Sequence, residues 1–206
     1  MREKLRGLYV IIDPEAADAR DEIAIAREAI AGGARLIQLR DKTREKGRQL
    51  PVAEALRALC SASGGLFFVN DHVDLALAAG ADGVHVGQND LPVSAVRRLV
   101  PREMLVGCST NNPEEARRAE ADGADYVSVG RLFPTGSKAD TRPATTESIR
   151  TVKAAVSLPV CAIGGINGSN IDDVIAAGAD MAAVIAAVIA APDVEAAARR
   201  LAERFG

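Results

Sequence analysis

Short runs of β-branched and aliphatic residues alternate with amphipathic, Ala/Glu/Arg-rich stretches along the whole chain. The apolar runs lie at residues 8–13, 36–41, 66–71, 83–87, 105–110, 126–133, 160–166 and 182–186. The intervening stretches, at 21–32, 44–63, 73–79, 93–99, 113–122, 146–156, 170–177 and 194–205, read as helices; the first carries Ile23, Ala26 and Ile30 at helical spacing. Glycines at 32–33, 64–65, 80, 123 and 178 supply stop signals, and Asn112-Pro113 supplies a start. Three segments echo one another at the hand-over from helix to strand: Ala79-Gly80-Ala81-Asp82, Ala121-Asp122-Gly123-Ala124-Asp125 and Ala177-Gly178-Ala179-Asp180. A strand–helix unit repeated eight times makes a parallel sheet, and eight such units close into a barrel. The expectation is therefore a single α/β domain over residues 1–206, a (β/α)₈ or TIM barrel. An open doubly wound sheet is the alternative, but no G-x-G-x-x-G follows the first apolar run.

Composition narrows the partners. Hydrophobic residues make up 48% of the 206, enough for a full core. A net charge of −3 without a basic stripe, with 3% aromatics and no Trp, argues against nucleic acid. Three dispersed cysteines fit reduced thiols. No signal peptide is visible, and the Ala-rich stretch 182–191 is too short to span a bilayer. The expected setting is cytoplasmic, away from membranes, with room for a homo-oligomer.

In such a barrel, chemistry belongs to the C-terminal ends of the strands. The second apolar run ends Gln38-Leu39-Arg40-Asp41-Lys42, and alternation puts Gln38, Arg40 and Lys42 on one face. Two cations and an amide there form an anion clamp; the bland alternative is a solvated strand end. Asp71 closes the third run and Asp90 follows the fourth, one β-α-β unit later. Either alone is more often a helix cap; paired beside a cationic strand end, they suit a Mg²⁺ ion on a diphosphate. His72 and His85 lack a second ligand at metal spacing and read as structural, with His85 near enough to line a site. The stretch Phe133-Pro134-Thr135-Gly136-Ser137-Lys138 offers hydroxyls, a glycine and a lysine to a phosphate, or is an ordinary polar turn. Gly164-Gly165 ends the seventh run, where barrels of this type often bind phosphate.

Taken in order, six segments carry a family resemblance: Gln38-Leu39-Arg40-Asp41-Lys42, Asn70-Asp71, His85-Val86-Gly87-Gln88-Asn89-Asp90, Gly107-Cys108-Ser109-Thr110, Phe133 to Lys138, and Ile163-Gly164-Gly165-Ile166. On these the chain resembles the thiamin-phosphate synthase family over essentially its whole length. The resemblance implies a transferase that joins a pyrimidine diphosphate to a thiazole phosphate, carboxylated or not, and releases pyrophosphate through a carbocation-like substitution. It implies that Gln38, Arg40, Asp41, Lys42, Asn70, Ser109 and Lys138 hold the pyrimidine diphosphate. Arg40, Lys42, Ser109 and Lys138 would act in catalysis. Asp71 and Asp90 would bind one Mg²⁺. Thr135, Gly136, Ser137, Gly165, Ile185 and Ala186 would hold the thiazole phosphate. Two positions depart from the family: Ala186 stands where a Ser is usual, and Asn111 where relatives often have His. A related thiazole tautomerase is the nearest rival; it needs a proton-shuttling His where Asn111 stands and lacks the paired Asp. A non-catalytic phosphate-binding barrel is a third reading, with no need of Asp71 and Asp90.

Overall fold

The computed structural model describes residues 1–18, 20–135 and 142–206. Its strands are β1 (Gly7–Ile12), β2 (Leu36–Leu39), β3 (Leu66–Asn70), β4 (Gly83–Val86), β5 (Leu105–Thr110), β6 (Tyr126–Val129), β7 (Val160–Ile163) and β8 (Met181–Val184). They pair in parallel in chain order, and β8 returns to β1, closing the barrel. Helices α1 (Glu22–Ala31), α2 (Lys46–Ser63), α3 (Val73–Ala78), α4 (Val93–Leu99), α5 (Pro113–Ala121), α6 (Thr146–Ala155) and α7 (Ile171–Ala176) connect successive strands; α8 (Ala186–Ile189) and α9 (Val194–Ala202) follow the last. The expected (β/α)₈ barrel is the observed fold.

Strand alternation divides the apolar residues into two cores. One face of each strand, such as Leu8, Val10 and Ile12 of β1, packs under the helices. The other face points along the barrel axis, where Tyr9, Leu36, Phe68, Tyr126 and Met181 meet. Phe68 and Tyr126 cross edge to face, ring centroids 5.7 Å apart. A Cβ on Gly107 would overlap the Tyr126 ring, which is why β5 carries glycine at that inward position. Gly107→Ala would overpack the axis, at a cost of ~1–3 kcal/mol.

The three repeated segments are stitches at the N-terminal mouth of the barrel. Asp82, Asp125 and Asp180 each accept a bond from the backbone N–H of a strand residue: Phe67 at 2.9 Å, Val106 at 2.7 Å and Val160 at 2.7 Å. Each backbone N–H returns a bond to the same residue's carbonyl. Each carboxylate also meets a cation: Arg57 for Asp82, Arg97 and Arg2 for Asp125, Lys153 for Asp180. The fourth equivalent segment, Gly33-Ala34-Arg35, keeps the backbone bond, from Arg35 N–H to Leu8 O, but puts Arg where the others have Asp.

Several strands end earlier than expected at the opposite mouth, β2 at Leu39 and β7 at Ile163 among them, and two of the differences have a visible cause. The run 126–133 leaves the ladder after Val129, because Arg131, Leu132 and Phe133 donate instead to the carbonyls of Arg142, Ile163 and Gly164. The run 182–186 ends at Val184, and Ala186 opens the four-residue helix α8. An all-aliphatic Ala-rich run gives no periodicity by which to divide strand from helix.

Candidate active site

At the C-terminal ends of the strands the inward positions change from apolar to polar. They line a cavity of about 1040 Å³. Its wall includes Gln38, Arg40, Lys42, Asn70, Asp71, Asp90, Ser109, Thr135, Gly165, Ile185 and Ala186. Residues read from separate segments of the sequence thus share one space. Gly136, Ser137 and Lys138 lie outside the described residues.

The cationic side is built on β2. Gln38 and Arg40 are buried, with Lys42 on the same face half exposed. Arg40 donates to Asp13, at the end of β1, in a short buried ion pair, and its Nε has no hydrogen-bond partner. A buried guanidinium that lines the cavity and keeps one donor without a partner is set up for a further acceptor, since an unsatisfied buried donor costs about 1–3 kcal/mol. Asp13 gave no sequence signal of this role; it looked like a strand end. Among the described residues, Asp41 is the one expected ligand-binding residue that lies away from the cavity. Its carboxylate faces the opposite side of the strand end, fully buried, and accepts from Thr43 N–H at 2.9 Å, Thr43 Oγ1 at 3.0 Å, Arg44 N–H at 3.0 Å and the Arg44 guanidinium. Burial works against its ionisation, but these bonds outweigh burial and hold its pKa below the ordinary value. Asp41 shapes the loop into α2. The same alternation that put Arg40 and Lys42 inward turns it outward.

Opposite stand the two carboxylates. Asp71 follows β3 with φ +62°, a left-handed conformation that Asp tolerates better than most residues. Its N–H is held by His85 O at 2.8 Å. Lys42 Nζ lies 3.3 Å from Asp71 Oδ2. Asp90 folds back onto its own turn, accepting from Gly87 N–H at 2.7 Å. Burial, and then the charge and hydrogen bonding of Asp90, raise the Asp71 pKa; Lys42 opposes this only in part. Two facing carboxylates call for a proton or a cation between them. No cluster of three or more His, Cys, Asp or Glu residues suited to a metal occurs among the described residues.

The floor of the cavity was missing from the sequence reading. Gln38 Nε2 donates to Tyr9 Oη at 2.6 Å, Tyr9 Oη lies 3.3 Å from Tyr126 Oη, and Tyr126 Oη lies 2.9 Å from His85 Nδ1. His85 Nε2 lies 3.0 Å from Ser109 Oγ. His85 is thus both hydrogen-bonded in place and part of the cavity wall, whereas His72 caps α3 outside it. The tyrosines were invisible in sequence because an isolated Tyr in an apolar strand reads as core filler.

The remaining side is backbone-rich. Gly164 and Gly165 have φ of +102° and +66°, and a Cβ on Gly165 would collide with the Phe133–Pro134 backbone. The pair therefore serves both the cavity wall and the close passage of the chain after β6. Asn111 is held by its own contacts: its N–H donates to Glu115 Oε2 at 2.8 Å and its Nδ2 to Arg142 O at 3.0 Å. Arg142 in turn forks onto Glu115 with two 2.8 Å bonds.

Residues 8–188 match the family model described as thiamine monophosphate synthase. The thiamine-phosphate synthase of Methanospirillum hungatei is 50% identical over 96% of this chain and 96% of its own. That of Methanoculleus marisnigri is 52% identical over 96% and 94%. Among solved structures, a thiamine phosphate pyrophosphorylase from Pyrococcus furiosus superposes with a TM-score of 0.90 at 39% identity, over 99% of this chain and 96% of that one. A 3-hexulose-6-phosphate synthase, at 21% identity and a TM-score of 0.73, shares the fold. With its barrel, its cavity and its sequence in agreement from β1 to α8, the chain belongs to the thiamine-phosphate synthase family.

Proposed function

We propose that this protein is a transferase of thiamine biosynthesis that joins a pyrimidine diphosphate to a thiazole phosphate and releases pyrophosphate. The observation that carries this reading is the juxtaposition, across one cavity, of a cationic strand end and two facing carboxylates. That combination suits a diphosphate with a hard cation. It has no purpose in a barrel that binds a single phosphate, and the position where the tautomerase carries its proton-shuttling His is Asn111 here. Asn111 has no titratable nitrogen, and its amide is already bonded to backbone.

The two carboxylates fit Mg²⁺. That ion keeps several waters and takes one or two carboxylates plus substrate phosphates, so the pair Asp71 and Asp90 suits it. When bound, Mg²⁺ supplies neutralisation of the charge that gathers on the departing diphosphate.

The chain's own residues do the rest. Arg40, fixed by Asp13, and Lys42 hold phosphate oxygens; the Arg40 Nε–H donates to no competing acceptor. Gln38, Asn70 and Ser109 hold the pyrimidine. Gly165 and the Ile185–Ala186 turn give the thiazole phosphate backbone N–H groups, in place of the hydroxyl that Ala186 lacks. Lys138, Gly136 and Ser137 complete this assignment. Departure of pyrophosphate from the pyrimidine methylene leaves a resonance-stabilised cation, which the thiazole nitrogen captures. Such a substitution needs leaving-group stabilisation and alignment rather than a protein nucleophile. The buried thiol of Cys108 agrees: burial pushes its pKa up to about 11, which keeps it protonated and inert.

Pyrophosphate release tests the reading. Release should require both substrates and Mg²⁺ together. Equal release from the pyrimidine diphosphate alone would make the protein a hydrolase, and none with both would end the proposal.

A further inference from the structure

The groups on the cavity floor form a hydrogen-bond chain whose direction can be worked out from one end. Gln38 presents Nε2 to Tyr9, and an amide nitrogen can only donate, so the Tyr9 hydroxyl accepts. Tyr9 is fully buried, which raises its pKa and keeps the hydroxyl protonated. Among the described residues the acceptor left for that proton is Tyr126 Oη. Tyr126, equally buried and protonated, then directs its own proton to His85 Nδ1. An imidazole that accepts at Nδ1 carries its hydrogen on Nε2, which faces Ser109 Oγ. Ser128 Oγ, at 3.5 Å, approaches the same oxygen from the next strand.

From this chain we infer that Tyr126, with Tyr9 behind it, is a positioning residue that fixes His85 as the Nε2–H tautomer and so turns the Ser109 hydroxyl proton toward the cavity. Ser109 receives from His85 and is left to donate to a ligand acceptor. Gln38, its nitrogen occupied by Tyr9, offers Oε1 as an acceptor from the opposite wall. The cavity thereby presents one donor and one acceptor of fixed polarity, and a site of fixed polarity discriminates against a ligand that cannot match it. The inference rests on the synthase reading only for the identity of the ligand, the pyrimidine diphosphate. The reverse direction, with Tyr9 donating to a turned Gln38 amide, would put the proton on His85 Nδ1 and aim the Ser109 proton away from the cavity. The tautomer of His85 therefore separates the two.

The chain has two histidines, so selective ¹⁵N-histidine labelling gives two imidazole patterns, and loss of one in His85→Gln assigns it. In the ligand-free wild type, His85 should show a protonated Nε2 and an unprotonated Nδ1. In Tyr126→Phe, the pattern should move toward a mixture of tautomers. Its kcat/KM for the pyrimidine diphosphate should fall about tenfold, the scale of one hydrogen bond to a charged ligand. The KM for the thiazole phosphate should stay unchanged. A His85 protonated at Nδ1 in the wild type would overturn the proposal. So would a Tyr126→Phe protein with wild-type kcat/KM and an unaltered imidazole pattern. Should Tyr126→Phe fail to fold, the wild-type spectrum still decides. That spectrum is read without substrate, so the predicted tautomer in a protein that releases no pyrophosphate would sink the synthase reading and leave the hydrogen-bond chain standing.

Discussion

The two mouths of the barrel use aspartate in opposite ways. At the N-terminal mouth, Asp82, Asp125 and Asp180 are each occupied by a backbone N–H and a basic side chain. At the C-terminal mouth, Asp71 faces Asp90 with the half-exposed Lys42 as its basic partner among the described residues. The first arrangement closes on itself and joins strand to strand. The second leaves negative charge poorly compensated in a cavity. Saturated groups at one end and unsatisfied ones at the other are what a barrel needs if stability and chemistry are to be kept apart.

Substitutions at the two ends should therefore separate activity from stability. The largest effect is expected for Asp71→Ala: a fall in pyrophosphate release of ~10³-fold, comparable to losing a main electrostatic contact to the transition state. Its urea midpoint should remain at or above the wild-type value. Asp125→Ala should do the converse. It leaves Arg97, Arg2 and the Val106 N–H without their partner, for a loss of ~3 kcal/mol in urea unfolding, while turnover per folded molecule is kept. Wild-type stability in Asp125→Ala, or a stability loss in Asp71→Ala with full turnover, would erase the contrast.

Asp13→Asn tests a smaller effect at the active mouth. Loss of the carboxylate beside Arg40 should let the guanidinium swing, raising KM for the pyrimidine diphosphate by roughly tenfold with less change in kcat. A change in kcat alone would contradict a positioning role.

Much of this contrast was legible beforehand. The repeated Gly-Ala-Asp segments and the eightfold alternation carry the barrel, because strand and helix periods and glycine stops are local properties. Arg40, Lys42, Asp71 and Asp90 were legible as polar ends of apolar strands. Asp41 was misplaced because the resemblance was carried across the whole Gln38–Lys42 run, although the alternation that turns Arg40 and Lys42 inward turns Asp41 outward. Tyr9 and Tyr126 were missed because their roles arise only when β1, β2, β4 and β6 meet across the axis, and Asp13 because its partner Arg40 comes from the end of the neighbouring β2. The helix α8 was missed because alanine and valine serve strand and helix alike in so short a run.

The smallest predicted effect is on pH dependence. Burial and Asp90 raise the Asp71 pKa above its ordinary 3.8. The folded protein then keeps a proton that the unfolded chain has lost. Without divalent cations, stability should therefore fall as pH rises from 3.8 through the raised value, and Asp71→Asn should flatten that slope. A slope of opposite sign would mean that Lys42 outweighs Asp90.

The most direct test of the central claim, that the facing carboxylates form a cation site completed by diphosphate, is the unfolding midpoint with Mg²⁺ and inorganic pyrophosphate as the probe. Wild type should be stabilised by Mg²⁺ and pyrophosphate together well beyond either alone, and Asp71→Asn should lose that gain. Equal stabilisation of both proteins would contradict the claim and place the anion's partner elsewhere.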